Sequence, residues 1–240
     1  MMGVLIISSF FSSFFGRVVM LSLWADIGAN TWLFFLITLF TIVVAAGIVA
    51  NEFSWGTINL LLIHPISRGK VLFSKYLAML LFGAILTGIL FGCSFSINAV
   101  WYAFGQNITS KIFNGSSSTP IPFNSFSGVL FLYFLHYIDV VVYGSFAFML
   151  SAVSRSNAYA IGVCFITYFF GPEISDYLLP GSSIAKYILF FHLNLFKYFG
   201  PDAVHFSDIG LRVSVMSLVA YVLIFYLIAW LVFVKRDVLI

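Results

Sequence analysis

Six apolar stretches, each close to the length that crosses a bilayer, constrain this chain more than any other feature. They fall at about 4–23, 32–50, 71–92, 128–150, 158–178 and 213–234. About 20 predominantly apolar residues in helical form span the hydrocarbon core. The runs are continuous, whereas a membrane barrel alternates polar and apolar residues in segments of roughly 10. The expected fold is therefore an all-α integral membrane protein, with six transmembrane helices forming one transmembrane domain over 1–240. Only 8% of the residues are charged, against roughly 25% in soluble domains, too few to build a water-facing surface.

The charges that remain mark membrane edges. The first stretch has no Lys or Arg before Arg17 and no clear small-residue cleavage site, so it is expected to be a retained helix and not a signal peptide. If the segment 51–70 faces the cytosol, that side carries six basic residues: Arg68, Lys70, Lys75, Arg155, Lys235 and Arg236. The other side carries five: Arg17, Lys111, Lys186, Lys197 and Arg212. The positive-inside rule weights short loops and positions near helix ends. The first group meets that criterion better, which puts both termini in the cytosol. The basic residues form no stripe or long run, and nothing points to a nucleic-acid partner. Cys93 and Cys164 are expected near opposite ends of their helices, so the sequence favours two packing residues over a disulfide or a metal site.

Between the apolar stretches lie four informative segments. After the second comes Asn51-Glu52-Phe53-Ser54-Trp55-Gly56-Thr57, a short apolar run, and His64-Pro65-Ile66-Ser67-Arg68. Asn51 is a good N-cap and Glu52 suits the first turn of a helix. Pro65 would end that helix, so a separate helix is expected over Glu52–Ile63. The apolar run after Lys70 reaches Phe104, too long for one upright span; the helix either tilts and projects outward or breaks near Gly92. Residues 106–122 are rich in Ser, Asn, Gly and Pro and read as a water-exposed loop. Between Leu179 and Arg212 an apolar centre is interrupted by Lys186, His192 and Lys197, which suits re-entrant or interfacial helices more than a seventh span.

Glu52, Gly56-Thr57, Leu61-Leu62, Pro65, Ser67-Arg68 and Lys75 follow the pattern E-x(3)-G-T-x(3)-L-L-x(2)-P-x-S-R-x(6)-K. This resembles the segment after the second helix in permeases of ABC-2-type ABC transporters, and the six-helix layout extends the resemblance to most of the chain. The nearest likeness is to small permease subunits that export antimicrobial peptides, bacitracin or phenol-soluble modulins. The resemblance implies that the helix after the second span is a cytosolic coupling helix, seated on a partner ATPase through Glu52, Phe53, Trp55, Gly56, Thr57 and Arg68. It also implies a second permease chain, as homodimer or paralogue, and short extracellular re-entrant helices between the fifth and sixth spans. ATP and Mg would reside on the partner subunit. Family members often begin with an amphipathic helix on the cytosolic surface, and this chain has no room for one.

The residues agree on one point independently. Gly69-Lys70 is followed by Val71 and lacks the upstream glycine of a phosphate-binding loop. The chain is thus expected to be no enzyme on its own and to bind no cofactor. Polar residues within the spans are the other candidates. His136, Asp139 and Tyr143 are spaced i, i+3, i+7 and share one helix face. Asp139 lies near the bilayer centre, where an Asp costs roughly 2.5–3.5 kcal/mol to insert. That face either lines a substrate pathway or dimer seam, or is a satisfied interhelical hydrogen bond. Gly144, one turn further on, is expected to serve close helix packing. Glu173 and Asp176, past Gly171-Pro172, could pair with Arg17 or attract a cationic substrate. The expected function is export of amphipathic or hydrophobic peptides across the bacterial cytoplasmic membrane. An ATP-independent carrier or channel, or a stand-alone immunity protein that binds a bacteriocin, are the alternatives.

Overall fold

In a computed structural model, the structure describes residues 27–28, 30–54, 68–109, 125–178, 188–193, 195–198 and 210–235. The expected first span, 4–23, lies outside them, as does most of the expected coupling helix. Among the described residues every regular element is helical. A 3-10 turn, Asn30–Leu33, leads into α1, Phe34–Ser54. Then follow α2, Arg68–Thr109; α3, Phe126–Ser154; and α4, Asn157–Leu178. A single turn, α5, Leu189–His192, and a 3-10 turn, Leu195–Tyr198, precede α6, Leu211–Lys235. Four stretches are long and apolar enough to cross a membrane: Asn30–Glu52, Gly69–Val100, Phe126–Ser154 and Leu211–Val234. α4 is as long as a span but carries Pro172, Glu173 and Asp176 in its last third.

Two helices run further than expected. α1 was expected to stop at 50, with Asn51 capping a new helix. Instead α1 continues through Asn51 and Glu52 to Ser54. No Pro interrupts the chain there, and an N-cap needs a non-helical backbone that Asn51 does not adopt. α2 passes through Gly92 unbroken for 42 residues, about 63 Å at 1.5 Å per residue. A glycine within a helix is a modest penalty of about 1 kcal/mol relative to Ala, too small to break a helix whose polar side chains are served internally. The Thr87 hydroxyl donates to Gly83 O (2.9 Å) and the Ser96 hydroxyl to Gly92 O (2.8 Å).

α3 has well-defined ends. Ser125 stands in an extended conformation and its hydroxyl accepts from the Gly128 N–H at 3.2 Å, an N-cap. At the other end Arg155 adopts the left-handed conformation, φ 55°, and its N–H donates to Ser151 O at 3.0 Å. This is a C-terminal stop usually given to Gly. Only Arg155 and Ser156 separate α3 from α4, so the two form a tight antiparallel hairpin.

α3 is the central helix and packs against α1, α2, α4 and α6. Its buried face contributes Leu135, Val142, Tyr143, Ala147, Phe148 and Ala152 to one cluster with Ile42, Val49, Leu72 and Met79. Lipid tails are as apolar as these side chains, so tight van der Waals fit matters more than area removed from water. Gly144 provides it: a Cβ there would stand 2.6 Å from Met79 Sδ and 3.2 Å from Thr41 Cγ2, which lets α1 and α2 approach α3 together. Gly144→Val is expected to destabilise the fold by about 1–3 kcal/mol, whereas Gly88→Ala, where a Cβ meets nothing within 4 Å, is expected to stabilise it by up to about 1 kcal/mol. Thermal or denaturant unfolding of the two variants in detergent checks this.

Candidate functional site

α1 and α3 finish, and α2 and α4 begin, at one end of the bundle. Three interactions fasten it. Lys75 on α2 forms an ion pair with Glu52 on α1, and its Nζ also donates to Ile48 O at 3.0 Å. The Lys75 and Glu52 side chains are only 16% and 21% exposed, so solvent screens the pair less than it would on an open surface. On the opposite flank of α1, Ser151 of α3 reaches into the backbone: its hydroxyl donates to Ala46 O at 2.5 Å and accepts from Ala50 N–H at 3.0 Å. Beside it the Asn51 and Asn157 amides cover Gly47, with Nδ2 atoms 3.2 and 3.9 Å from where a Cβ on Gly47 would stand. Asn157 Oδ1 is buried and has no hydrogen-bond donor among the described residues.

Of the residues assigned to ATPase coupling, Glu52 sits in this clamp. Arg68 opens α2, and Phe53 lies in the last turn of α1. Trp55, Gly56 and Thr57 lie outside the described residues. The Glu52–Lys75 pair joins the first and last residues of the sequence pattern. Lys75 is the last residue of that pattern and one of the six basic residues expected at the cytosolic edge; its pairing with a residue 23 positions earlier carries no local signal.

The second group lies midway along α3. His136 stacks on Phe34 of α1, with centroids 5.0 Å apart and planes 23° apart. Tyr143 is buried and meets Tyr168 of α4 edge-on at 4.8 Å. Thr38 of α1 lies beside Tyr168, and its hydroxyl donates to Phe34 O at 2.8 Å. Asp139, half-buried, is close enough for its charge to act on both the Tyr143 and Tyr168 hydroxyls. His136 thus faces α1 and Tyr143 faces α4. Tyr168 and Thr38 complete the group; both sit inside apolar runs where nothing distinguishes them. Glu173 is exposed on α4, and Asp176 follows in its last turn.

Elsewhere the tyrosines behave as buried phenols do, each finding a partner for its hydroxyl. Tyr76 pairs with Ser145 at 2.8 Å and Tyr137 donates to Leu80 O at 3.0 Å. Toward the opposite end, buried Ser214 of α6 holds His192 Nδ1 at 3.0 Å and the Tyr198 hydroxyl at 2.5 Å. This ties the short turns between α4 and α6 to the bundle.

The clamp generates a prediction. Glu52→Gln and Lys75→Met are each expected to lower stability by about 1.5–3 kcal/mol, the range for a hydrogen bond to a charged group. The charge-reversed double variant Glu52→Lys, Lys75→Glu is expected to recover part of the loss. A double-mutant cycle on unfolding free energy measures it, and additive losses would show that the pair contributes nothing.

Comparison with known proteins gives the chain its relatives. It is 35% identical over 201 residues to YhcI of Bacillus subtilis (strain 168), an uncharacterized protein. The aligned part covers 83% of this chain but 64% of YhcI, so the chain spans less than two thirds of that relative. It is 27% identical over 199 residues to YdbK of the same strain, an uncharacterized membrane protein, covering 82% of this chain and 76% of YdbK. The four apolar helices and this relative agree on a membrane protein. Residues 2–239 match the family described as protein of unknown function DUF2705, and the chain belongs to that family.

Proposed function

We propose that this chain is the membrane-spanning permease subunit of an ABC exporter. It moves amphipathic or hydrophobic peptides out of the cell, driven by ATP hydrolysed on separate partner subunits. It lies in the bacterial cytoplasmic membrane as six spans with both termini in the cytosol, and it works with a second permease chain. The end of the bundle that carries the clamp is the cytosolic end.

The observation that carries this reading is the Glu52–Lys75 pair. It unites the two extremes of the sequence pattern that resembles ABC-2 permeases. It gives the intervening segment a rigid base held by both α1 and α2. A segment that receives force from an ATPase needs such a base, because a load applied to a loop with loose ends would be lost in its own motion. α1 also carries Thr38, beside the group that includes Asp139 of α3, so the helix that reaches the coupling end also borders the polar group at mid-depth. Asp139, Tyr143 and His136 form the pathway-facing surface in this reading, and lipid covers the exposed apolar faces of α2 and α6.

Two experiments test it. Affinity purification from native membranes is expected to bring down an ABC ATPase. Photo-crosslinkers placed along 52–63 are expected to capture that ATPase, while the chain by itself hydrolyses no ATP. An active complex in which no position in 52–63 ever captures an ATPase would sink the reading, leaving an ATP-independent carrier or a bacteriocin-binding immunity protein. Asp139→Asn keeps the shape of the side chain and removes its charge. Export is expected to fall at least tenfold with the amount of folded protein unchanged. Normal export by Asp139→Asn would reduce the group to a structural hydrogen-bond cluster.

A further inference from the structure

We propose that α1 contains a built-in hinge at the Ala46–Ala50 rung, created by the Ser151 hydroxyl of α3, about which the clamped end of α1 swings. In an α-helix the N–H of residue 50 pairs with the carbonyl of residue 46. Here Ser151 Oγ takes up both members, donating to Ala46 O at 2.5 Å and accepting from Ala50 N–H at 3.0 Å. A hydroxyl inserted in the i→i−4 ladder is one of the few identifiable causes of a helix bend. All three residues are fully or almost fully buried, so the bridge does not compete with water.

The surroundings suit a pivot. Ala46 and Ala50 offer no side chain beyond Cβ, and Gly47 lies inside the bridged turn. One turn before it, the Thr38 and Thr41 hydroxyls donate to Phe34 O and Ile37 O at 2.8 Å each, a back-bonding that itself bends helices. Beyond the rung, α1 has one more turn, and that turn carries Glu52 in its ion pair with Lys75. The buried Asn157 Oδ1, with no donor among the described residues, lies on the flank of Gly47. It is an acceptor available when the end of α1 changes position, and a buried unsatisfied group calls for such an explanation. The hydroxyl also allows a second arrangement, in which the backbone pair bonds directly and the hydroxyl turns back to its own helix.

What the hinge would do for transport rests on the proposed function; whether it exists does not. The test therefore uses the chain alone in lipid nanodiscs and reads hydrogen–deuterium exchange of peptides covering 44–54, with α6 peptides as the internal reference. Ser151→Ala forces the rung to pair directly. The amides of 50–54 are expected to exchange about tenfold more slowly than in the native chain, the equivalent of about one backbone hydrogen bond. Ser151→Thr keeps a hydroxyl and is expected to retain the native pattern. Ser151→Cys, whose thiol is a weak donor and acceptor, is measured alongside and is expected to slow exchange as Ala does, so the outcome does not hang on one variant folding. Faster exchange in the Ala and Cys variants would mean that Ser151 merely glues α1 to α3, and unchanged exchange would mean that the rung is rigid either way. Either result overturns the hinge while leaving the transport reading intact.

Discussion

A backbone amide within hydrocarbon has no water to fall back on, so every N–H and C=O must be paired inside the protein. That requirement turns each described apolar stretch into a helix and lets α2 continue without a break for 42 residues. It also governs the polar side chains. Thr38, Thr41, Thr87 and Ser96 donate to carbonyls of their own helices, and Tyr137 donates to a carbonyl of its neighbour. Polar groups at membrane depth are thereby absorbed into a hydrogen-bond system that the backbone already dominates.

Polar contacts between helices stand out against that background, and several of them involve α3. Because α3 packs on all four other long helices, polar side chains on several of its faces meet partners from different elements. Tyr143 looks toward α4, Ser145 toward α2, and Ser151 into the backbone of α1. One central helix thus distributes polar contacts to the rest, and relative movement of any two neighbours would be registered on it. A bundle held only by Leu and Phe would tolerate small slips, since one apolar contact replaces another at little change in energy. Directed hydrogen bonds at 2.5–3.0 Å set the register far more narrowly.

How much of this could be read beforehand follows from the range of each signal. Apolar runs are local, and α3, α4 and α6 begin and end within four residues of the stretches read from sequence. The face shared by His136, Asp139 and Tyr143 was legible because it depends only on helical period. Helix continuation past Asn51 was not, because a capping residue and an interior residue are the same amino acid until the backbone chooses. Ser151 was invisible for a stronger reason. Its two partners lie 105 and 101 residues away, and a lone serine at the end of an apolar run has many uses. Tyr168 and Thr38 were lost within hydrophobic stretches in the same way. Lys75 could be recognised as part of a pattern, but only the fold shows that it closes back on Glu52.

That closure bears on how a chain of this design diversifies. Residues 55–67 connect two helices whose facing ends are joined by an ion pair and by the Lys75–Ile48 bond. With those ends pinned, a change between them has little leverage on the register of α1 against α2, and the length of a connection adds little entropy, about 0.6 kcal/mol for each doubling. Substitutions or insertions there can accumulate while the bundle stays as it is. The frame and the connection are therefore separable in inheritance: lineages can keep one bundle and vary what joins its helices.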